Sequence, residues 1–252
     1  MRTLLRDTGT VFARAMRMSL RNPAWLVISL MQPILYIMLF GPLLEPLAQQ
    51  LGPGDAYQIF VPGILVQLGM FGALFVGFGL IAEWRAGVIE SQRVTPASRT
   101  ALLLGRVLRD VVVLLTQGVL LVLVAIPLGL RAPVAGVALT LVVVALLGAA
   151  LAAVSYALAL TLKSEDAFAP LLNAVVFPVV LLSGILLPMT LAPGWLQTLS
   201  DVNPFKHIVE AARDFFVGGY GTATAWWGVA LTVLLAVLGW LFGVRRFRRE
   251  SS

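Results

Sequence analysis

Six stretches of this chain run for about 20 residues or more without a charged side chain: Pro23–Leu44, Ala56–Ala82, Val111–Leu130, Pro133–Leu162, Ala167–Leu191 and Ala223–Val244. A helix needs about 20 mostly apolar residues to cross the ~30 Å hydrocarbon core of a bilayer. Six such runs in 252 residues carry more apolar surface than one aqueous core can bury. Hydrophobic residues make up 60% of the chain and charged ones 12%, against roughly 45–50% and 25% in soluble domains. The sequence predicts an all-α integral membrane protein with six transmembrane helices, at about 23–44, 58–82, 108–130, 134–162, 167–190 and 223–244.

Two runs carry local detail. The fourth, LTLVVVALLGAALAAVSYALAL, is rich in small residues that let a neighbouring helix approach closely. The fifth contains Pro178 and Ser183-Gly184, which predict a kink.

Lysine and arginine set the expected orientation. With the N-terminus inside, fifteen of the eighteen lie in cytoplasmic segments; only Arg131, Lys206 and Arg213 lie outside. Both termini are then cytoplasmic. Residues 245–252 form a basic cytoplasmic tail, and the 83–106 connection is a cytoplasmic loop.

Residues 1–22 lack the continuous apolar core and cleavage site of a signal peptide. At about 100° per residue, Leu4, Val11, Phe12, Ala15 and Met18 share one side, and Arg2, Arg6, Arg14, Arg17 and Arg21 share the other. This predicts an amphipathic helix in the headgroup layer, its arginines toward anionic lipid or a cytoplasmic partner. The blander alternative is positive-inside charge without fixed geometry. Arg21-Asn22-Pro23 ends the helix.

Much chemistry is excluded. No G-x-x-x-x-G-K-[ST] phosphate loop is present: Lys163-Ser164 is the only Lys-Ser pair, and Leu162 stands where its glycine would be. There is no cysteine, and the single histidine, His207, rules out H-E-x-x-H. No carboxylate pair sits deep in a span to relay protons; Asp110 has Arg106 four residues before it, spaced for a helical ion pair. No half of the chain repeats the other, against an inverted-repeat transporter. No catalytic residue, cofactor, metal or nucleic-acid partner is expected for this chain, and its energy must come from elsewhere.

Two polar segments remain. Between the second and third runs lies EWRAGVIESQRVTPASRTALLLGR, with helical character from Glu83 to Arg93 and a turn at 94–98. By spacing alone it is either a lever on a soluble partner or a solvated connector. Between the last two runs, residues 188–220 are rich in Leu, Val, Phe and Trp although they face outside. Ile208, Val209, Ala212, Phe215 and Phe216 give an apolar face, and Lys206–Glu210 and Glu210–Arg213 are spaced for ion pairs. This reads either as two short helices re-entering the outer leaflet, with polar groups satisfied inside protein, or as a surface amphipathic helix. In GMFGALFVGFG, Phe71, Phe75 and Phe78 share one helical face and Gly69, Gly72 and Gly79 another. With Asn173 and Phe177 on the fifth run, these phenylalanines either line an apolar cargo path or face lipid.

Three motifs together resemble one family. They are RNPAWLVISLMQPILYIMLFGPL near the start, EWRAGVIE followed by RVTPASRTALLLGR, and LLSGILLPMTLAPGWLQTLSDVNPFKHIVEAAR near the end. The chain resembles, over nearly its whole length, the membrane permease subunits of type-2 ABC exporters, in particular the daunorubicin-resistance-like branch. The resemblance implies six transmembrane helices after an N-terminal interfacial helix, a re-entrant segment before the last span, and two permease copies joined to two separate ATPase subunits. ATP and magnesium would sit on the ATPase. The resemblance implies coupling at Glu83, Arg85, Gly87, Glu90 and Arg93 in the first cytoplasmic loop, and an outer gate near Asn203, Pro204, Glu210 and Arg213. Trp84 stands where many relatives carry a polar residue.

The expected function is that of a bacterial inner-membrane exporter subunit moving a drug-like or lipid-like substrate. Six spans enclose too little for a central pathway, so a dimer of identical chains is expected, in contact with membrane lipids. The alternatives are a polysaccharide or glycolipid exporter, or a membrane-embedded enzyme or assembly factor on the same scaffold.

Overall fold

Lipid offers the backbone no hydrogen-bond partners, so a chain built for it must satisfy each peptide group within its own segment. The computed structural model describes residues 2–21, 23–51, 56–87 and 98–250, with side chains at 4–21, 27–46, 56–87 and 98–246. Every regular element among the described residues is helical. In chain order these are α1 (Arg2–Leu20), α2 (Pro23–Leu51), α3 (Ala56–Leu74), α4 (Val76–Arg85), α5 (Arg99–Ala125), α6 (Val134–Leu162) and α7 (Glu165–Leu181). A single 3₁₀ turn (Met189–Leu191), α8 (Gly194–Asp201), α9 (Pro204–Phe216) and α10 (Ala223–Glu250) follow.

Among the described residues, five stretches are long and apolar enough to cross a bilayer: Val27–Pro46, Ala56–Arg85, Arg99–Ala125, Val134–Leu162 and Ala223–Arg246. The protein is a multi-pass membrane protein. Helix α7 has 17 residues, about 25 Å at roughly 1.5 Å per residue, a little under the hydrocarbon thickness. The kink expected near Ser183 is a helix end: α7 stops at Leu181, and the chain turns through Gly184 at a φ of 71°, which favours glycine.

Helix α6 is the hub, packed by α3, α4, α5, α9 and α10. Its small residues do what their composition predicts. On α10, Gly239 and Gly243 are four apart; a Cβ on the first would lie 2.8 Å from the Ala150 carbonyl, and on the second 2.8 Å from the Ala153 methyl. Only hydrogen fits at either position, so two backbones meet without a side chain between them.

Helix α2 covers the bundle from one side and leaves Val27, Met31, Leu35, Leu39 and Leu43 exposed. Such a face is unfavourable in water and ordinary in hydrocarbon. Its interior prolines Pro33, Pro42 and Pro46 each remove a backbone donor, which membrane helices tolerate when neighbours compensate.

Helix α1 packs against α5. The packed stripe is Leu4, Thr8, Val11, Phe12 and Ala15, while Met18, expected on that side, is exposed beside the arginines. Met18 lies at the edge of the stripe, next to the arginine face. The second apolar run, expected as one span, is two helices that break at Phe75. The third begins at Arg99, well before position 108, and carries Arg106, Arg109 and Asp110 within its length.

Candidate functional site

The most polar part of the interior lies where α4, α5 and α6 meet. Arg106, one turn and more into α5, donates to the Glu83 carboxylate of α4 at 2.6 Å; the guanidinium is 8% exposed. One turn further along α5, Asp110 is 3% exposed and accepts from the Tyr156 hydroxyl of α6 at 2.5 Å. Arg109 approaches the same carboxylate at 3.2 Å. The helical pair expected between Arg106 and Asp110 does not form. The two point to different neighbours, Arg106 to α4 and Asp110 to α6, because each finds a closer partner there. Tyr156 gave no periodic signal in the sequence, and its place in the cluster depends on how α5 and α6 are packed.

Arg85, two residues past Glu83, is half exposed and lies 3.4 Å from Glu165 at the start of α7. Trp84 between them carries the Lys163 ammonium over its ring, 5.7 Å from the centroid. Gly87 adopts φ 71°, so the chain leaves α4 through a left-handed turn. Glu90 and Arg93 lie outside the described residues. Among the predicted loop residues, Glu83 is therefore tied to the protein's own core, while Arg85 stands further out.

The three phenylalanines form a column. Phe71 and Phe75 stack at 5.8 Å between centroids, Phe75 and Phe78 at 5.7 Å, and Phe168 of α7 closes the end edge-on at 4.9 Å. Phe71, Phe75 and Phe78 are partly buried and Phe168 is fully buried. Asn173 and Phe177 share a face, as expected, but it is the exposed one: α7 turns Phe168, Leu172 and Val176 inward and Asn173 and Phe177 outward. Within one chain they do not meet the column. The close glycine contacts hold for Gly69 against Val144 and Gly72 against Leu114, while Gly79 has open space. Phe168 is the member the sequence reading missed.

At the opposite end, the 188–220 segment holds two short helices, α8 and α9. Asn203 caps α9: its side chain accepts from the Phe205 amide at 3.1 Å, and Pro204 follows at the first helical position, where no amide is needed. The Asn203 amide donates to the Val179 carbonyl near the end of α7 at 2.7 Å. Ile208, Val209, Ala212, Phe215 and Phe216 are all buried, as their spacing predicts. Lys206 pairs with Asp201 and, at 3.5 Å, with Glu210. The hydrogen bond from Lys206 holds the Asp201 carboxyl below its usual range.

The pair expected between Glu210 and Arg213 is absent. Glu210 is taken by Lys206 and His207. Arg213 turns inward and donates to three backbone carbonyls: Ile59 at 2.9 Å, Gly184 at 2.7 Å and Ile185 at 3.4 Å. Burial pushes its pKa down to about 10, so it stays charged at neutral pH. Carbonyl dipoles take the place of a counter-ion, and one guanidinium fork joins α3, α9 and the turn after α7.

Among the described residues, this arrangement gathers no metal-ligand cluster or nucleophile–base pair for covalent chemistry. It is a helical membrane body with a charged rim at one end, an aromatic column beside it and a pinned helical pair at the other. Residues 6–217 match the ABC-2 type transporter family. The chain belongs to the ABC-2 type transporter family. It is a transport permease component without an ATPase site of its own, and the family pairs such chains with an ABC ATPase. Over 240 residues it is 27% identical to the daunorubicin resistance ABC transporter permease protein DrrB1 of Streptomyces coeruleorubidus, covering 93% of this chain and 82% of the relative. It is also 27% identical over 200 residues to the putative transport permease ycf38 of Cyanophora paradoxa, covering 78% and 69%. The probable doxorubicin resistance ABC transporter permease protein DrrC of Mycobacterium tuberculosis is 25% identical over 215 residues, covering 84% and 74%.

Proposed function

We propose that this ABC-2 permease is the membrane half of an ATP-driven exporter for hydrophobic or amphipathic compounds with a flat aromatic part. The aromatic column of Phe71, Phe75 and Phe78 carries this reading: three partly buried rings stacked along α3 and α4 offer repeated aromatic surface to a planar cargo. The names of two relatives, which refer to daunorubicin and doxorubicin resistance, support the same class.

In this reading α7, with the turn that follows it, is the sixth span, and α8 and α9 form a re-entrant pair at the outer face. Both termini lie in the cytoplasm of a bacterial inner membrane, as the arginine distribution favours. The segment from Glu83 to Arg106 docks on the ATPase, with Arg85 and Gly87 at its near edge and Glu90 and Arg93 further along. ATP and magnesium reside on the ATPase. Asn203, Pro204, Glu210 and Arg213 hold the outer gate. Two identical copies assemble, which would bring the outward-facing Asn173 and Phe177 of each chain to a shared path in place of lipid.

The test is reconstitution of the chain with its ATPase in liposomes. ATP hydrolysis and efflux are measured against planar aromatic amphiphiles, aliphatic amphiphiles of similar hydrophobicity, and glycolipids. Stimulation and efflux by the aromatic set alone is the expected result. Stimulation by glycolipids with none by aromatics would overturn the substrate class.

A further inference from the structure

Helix breaks have identifiable causes, usually proline, a π-bulge or an inserted side chain. The break between α3 and α4 has no proline near it; the one proline of α3 is Pro62. It does have an inserted side chain from another helix. The Ser155 hydroxyl of α6 accepts from the Gly77 amide at 3.0 Å and donates to the Leu74 carbonyl at 2.5 Å. It replaces a rung of the helix with a bridge through a neighbour. Ser155 is fully buried. Gly77 is required there: a Cβ would lie 2.5 Å from the Phe168 ring and 2.7 Å from Ser155 Oγ.

The other end of α4 is held as well, by Arg106 on Glu83. The two ends are linked behind α4. Ser155 and Tyr156 are neighbours on α6, Tyr156 bonds Asp110 on α5, and Asp110 stands one turn from Arg106. A ten-residue helix is thus pinned at a hydroxyl hinge on one end and a charged catch on the other. The aromatic column runs across the hinge, with Phe71 on α3, Phe75 at the break and Phe78 on α4.

We propose that Ser155 is a positioning residue for transport: its hydroxyl makes the Leu74–Gly77 break a hinge about which α4 swings as a lever, transmitting to the stacked phenylalanines the force that an ATPase on the 83–106 loop applies at the Glu83–Arg85 end of α4. This rests on the reading of that loop as the contact with the ATPase. A rigid thirty-residue span would move its whole length or none of it. A broken one lets the inner third move while α3 stays packed on α6 and α5. The hydroxyl bridge keeps both freed backbone groups satisfied, so the hinge costs little in the membrane.

The chain has no cysteine, so spin-label pairs can be introduced without removing any. One pair, at Ala82 on α4 and Thr161 on α6, reports the lever; a second, at Ile59 on α3 and Val134 on α6, reports the outer half. In the complete complex in nanodiscs, the first distance should change between the nucleotide-free and ATP-trapped states and the second should not. Equal change in both pairs, or none in the first, overturns the hinge without any change to Ser155. With Ser155→Ala, hydrolysis by the ATPase should persist while efflux falls about tenfold, the size of a typical lost coupling, and Ser155→Cys, which keeps a weak donor, should recover part of it. Unchanged efflux in Ser155→Ala, or efflux and hydrolysis lost in equal proportion, overturns the proposal. The underlying reading fails separately: a photo-crosslinker at Arg85 would then capture no ATPase, whatever the label pairs report.

Discussion

Arg106 donates to Glu83 across 2.6 Å with its guanidinium almost wholly buried, so the first charged residue of the loop is a contact within the chain. Removing the Glu83 charge weakens a buried charged hydrogen bond, a loss of about 1–3 kcal/mol. Glu83→Gln should lower the melting temperature of the detergent-solubilised chain. The swap Glu83→Arg with Arg106→Glu should recover most of it. A swap no better than the single change would mean that the pair contributes through something other than its charge.

Arg213 depends on geometry more than on charge, since its partners are three carbonyls. Arg213→Lys keeps the charge and loses the fork. It should be destabilised nearly as much as Arg213→Gln, each by about 1–3 kcal/mol from the unpaired carbonyls, with proteolysis near residues 184–188 rising in both. Full stability in the lysine variant would show that charge alone is enough.

Gly243 is the tightest test of the α6–α10 contact. Gly243→Val must push α10 away from Ala153, at a cost of about 1–3 kcal/mol. The same change at Gly79, where a Cβ meets nothing within 4 Å, should be tolerated. Thermal melts of the two variants decide it; equal melting temperatures would contradict the close approach.

Much of this was legible in the sequence, and the boundary is physical. The apolar helices and the buried face of α9 depend on residues near one another in the chain; among the described residues that face and five of the six expected runs appear as long apolar helical stretches. The break at Phe75 was not legible, because Ser155, whose hydroxyl bridges it, lies 78 positions from Gly77. Spacing found the Lys206–Glu210 pair, but two other expected ion pairs, Arg106–Asp110 and Glu210–Arg213, were misassigned for the same reason. Spacing at i, i+4 shows which partners are within reach on one helix, and says nothing of a nearer partner on another, such as Glu83 for Arg106 or the Gly184 carbonyl for Arg213. Asn173 and Phe177 were placed on one face correctly, but a helix wheel does not say which way that face turns.

That outward face gives a prediction for assembly. An exposed carboxamide in the middle of an apolar helix has no partner in hydrocarbon, and a second copy would supply one. Asn173→Cys and Phe177→Cys should crosslink two chains in native membranes, with Val134→Cys, exposed at the far end of α6, as the control that does not. Crosslinking at the control alone would contradict the arrangement.

The central claim is that the segment after α4 couples this permease to its ATPase, and Arg85 tests it most directly. It is half exposed, and its ion pair with Glu165 is exposed too, so a reversal there should cost the fold no more than about 1 kcal/mol. The measurement is substrate-stimulated ATP hydrolysis by the reconstituted complex carrying Arg85→Glu together with Glu165→Lys, which preserves the internal pair in reverse. The account predicts a stably inserted chain whose stimulation by substrate is lost. Full stimulation in the double variant would mean that Arg85 serves only its neighbour on α7, and would contradict the claim.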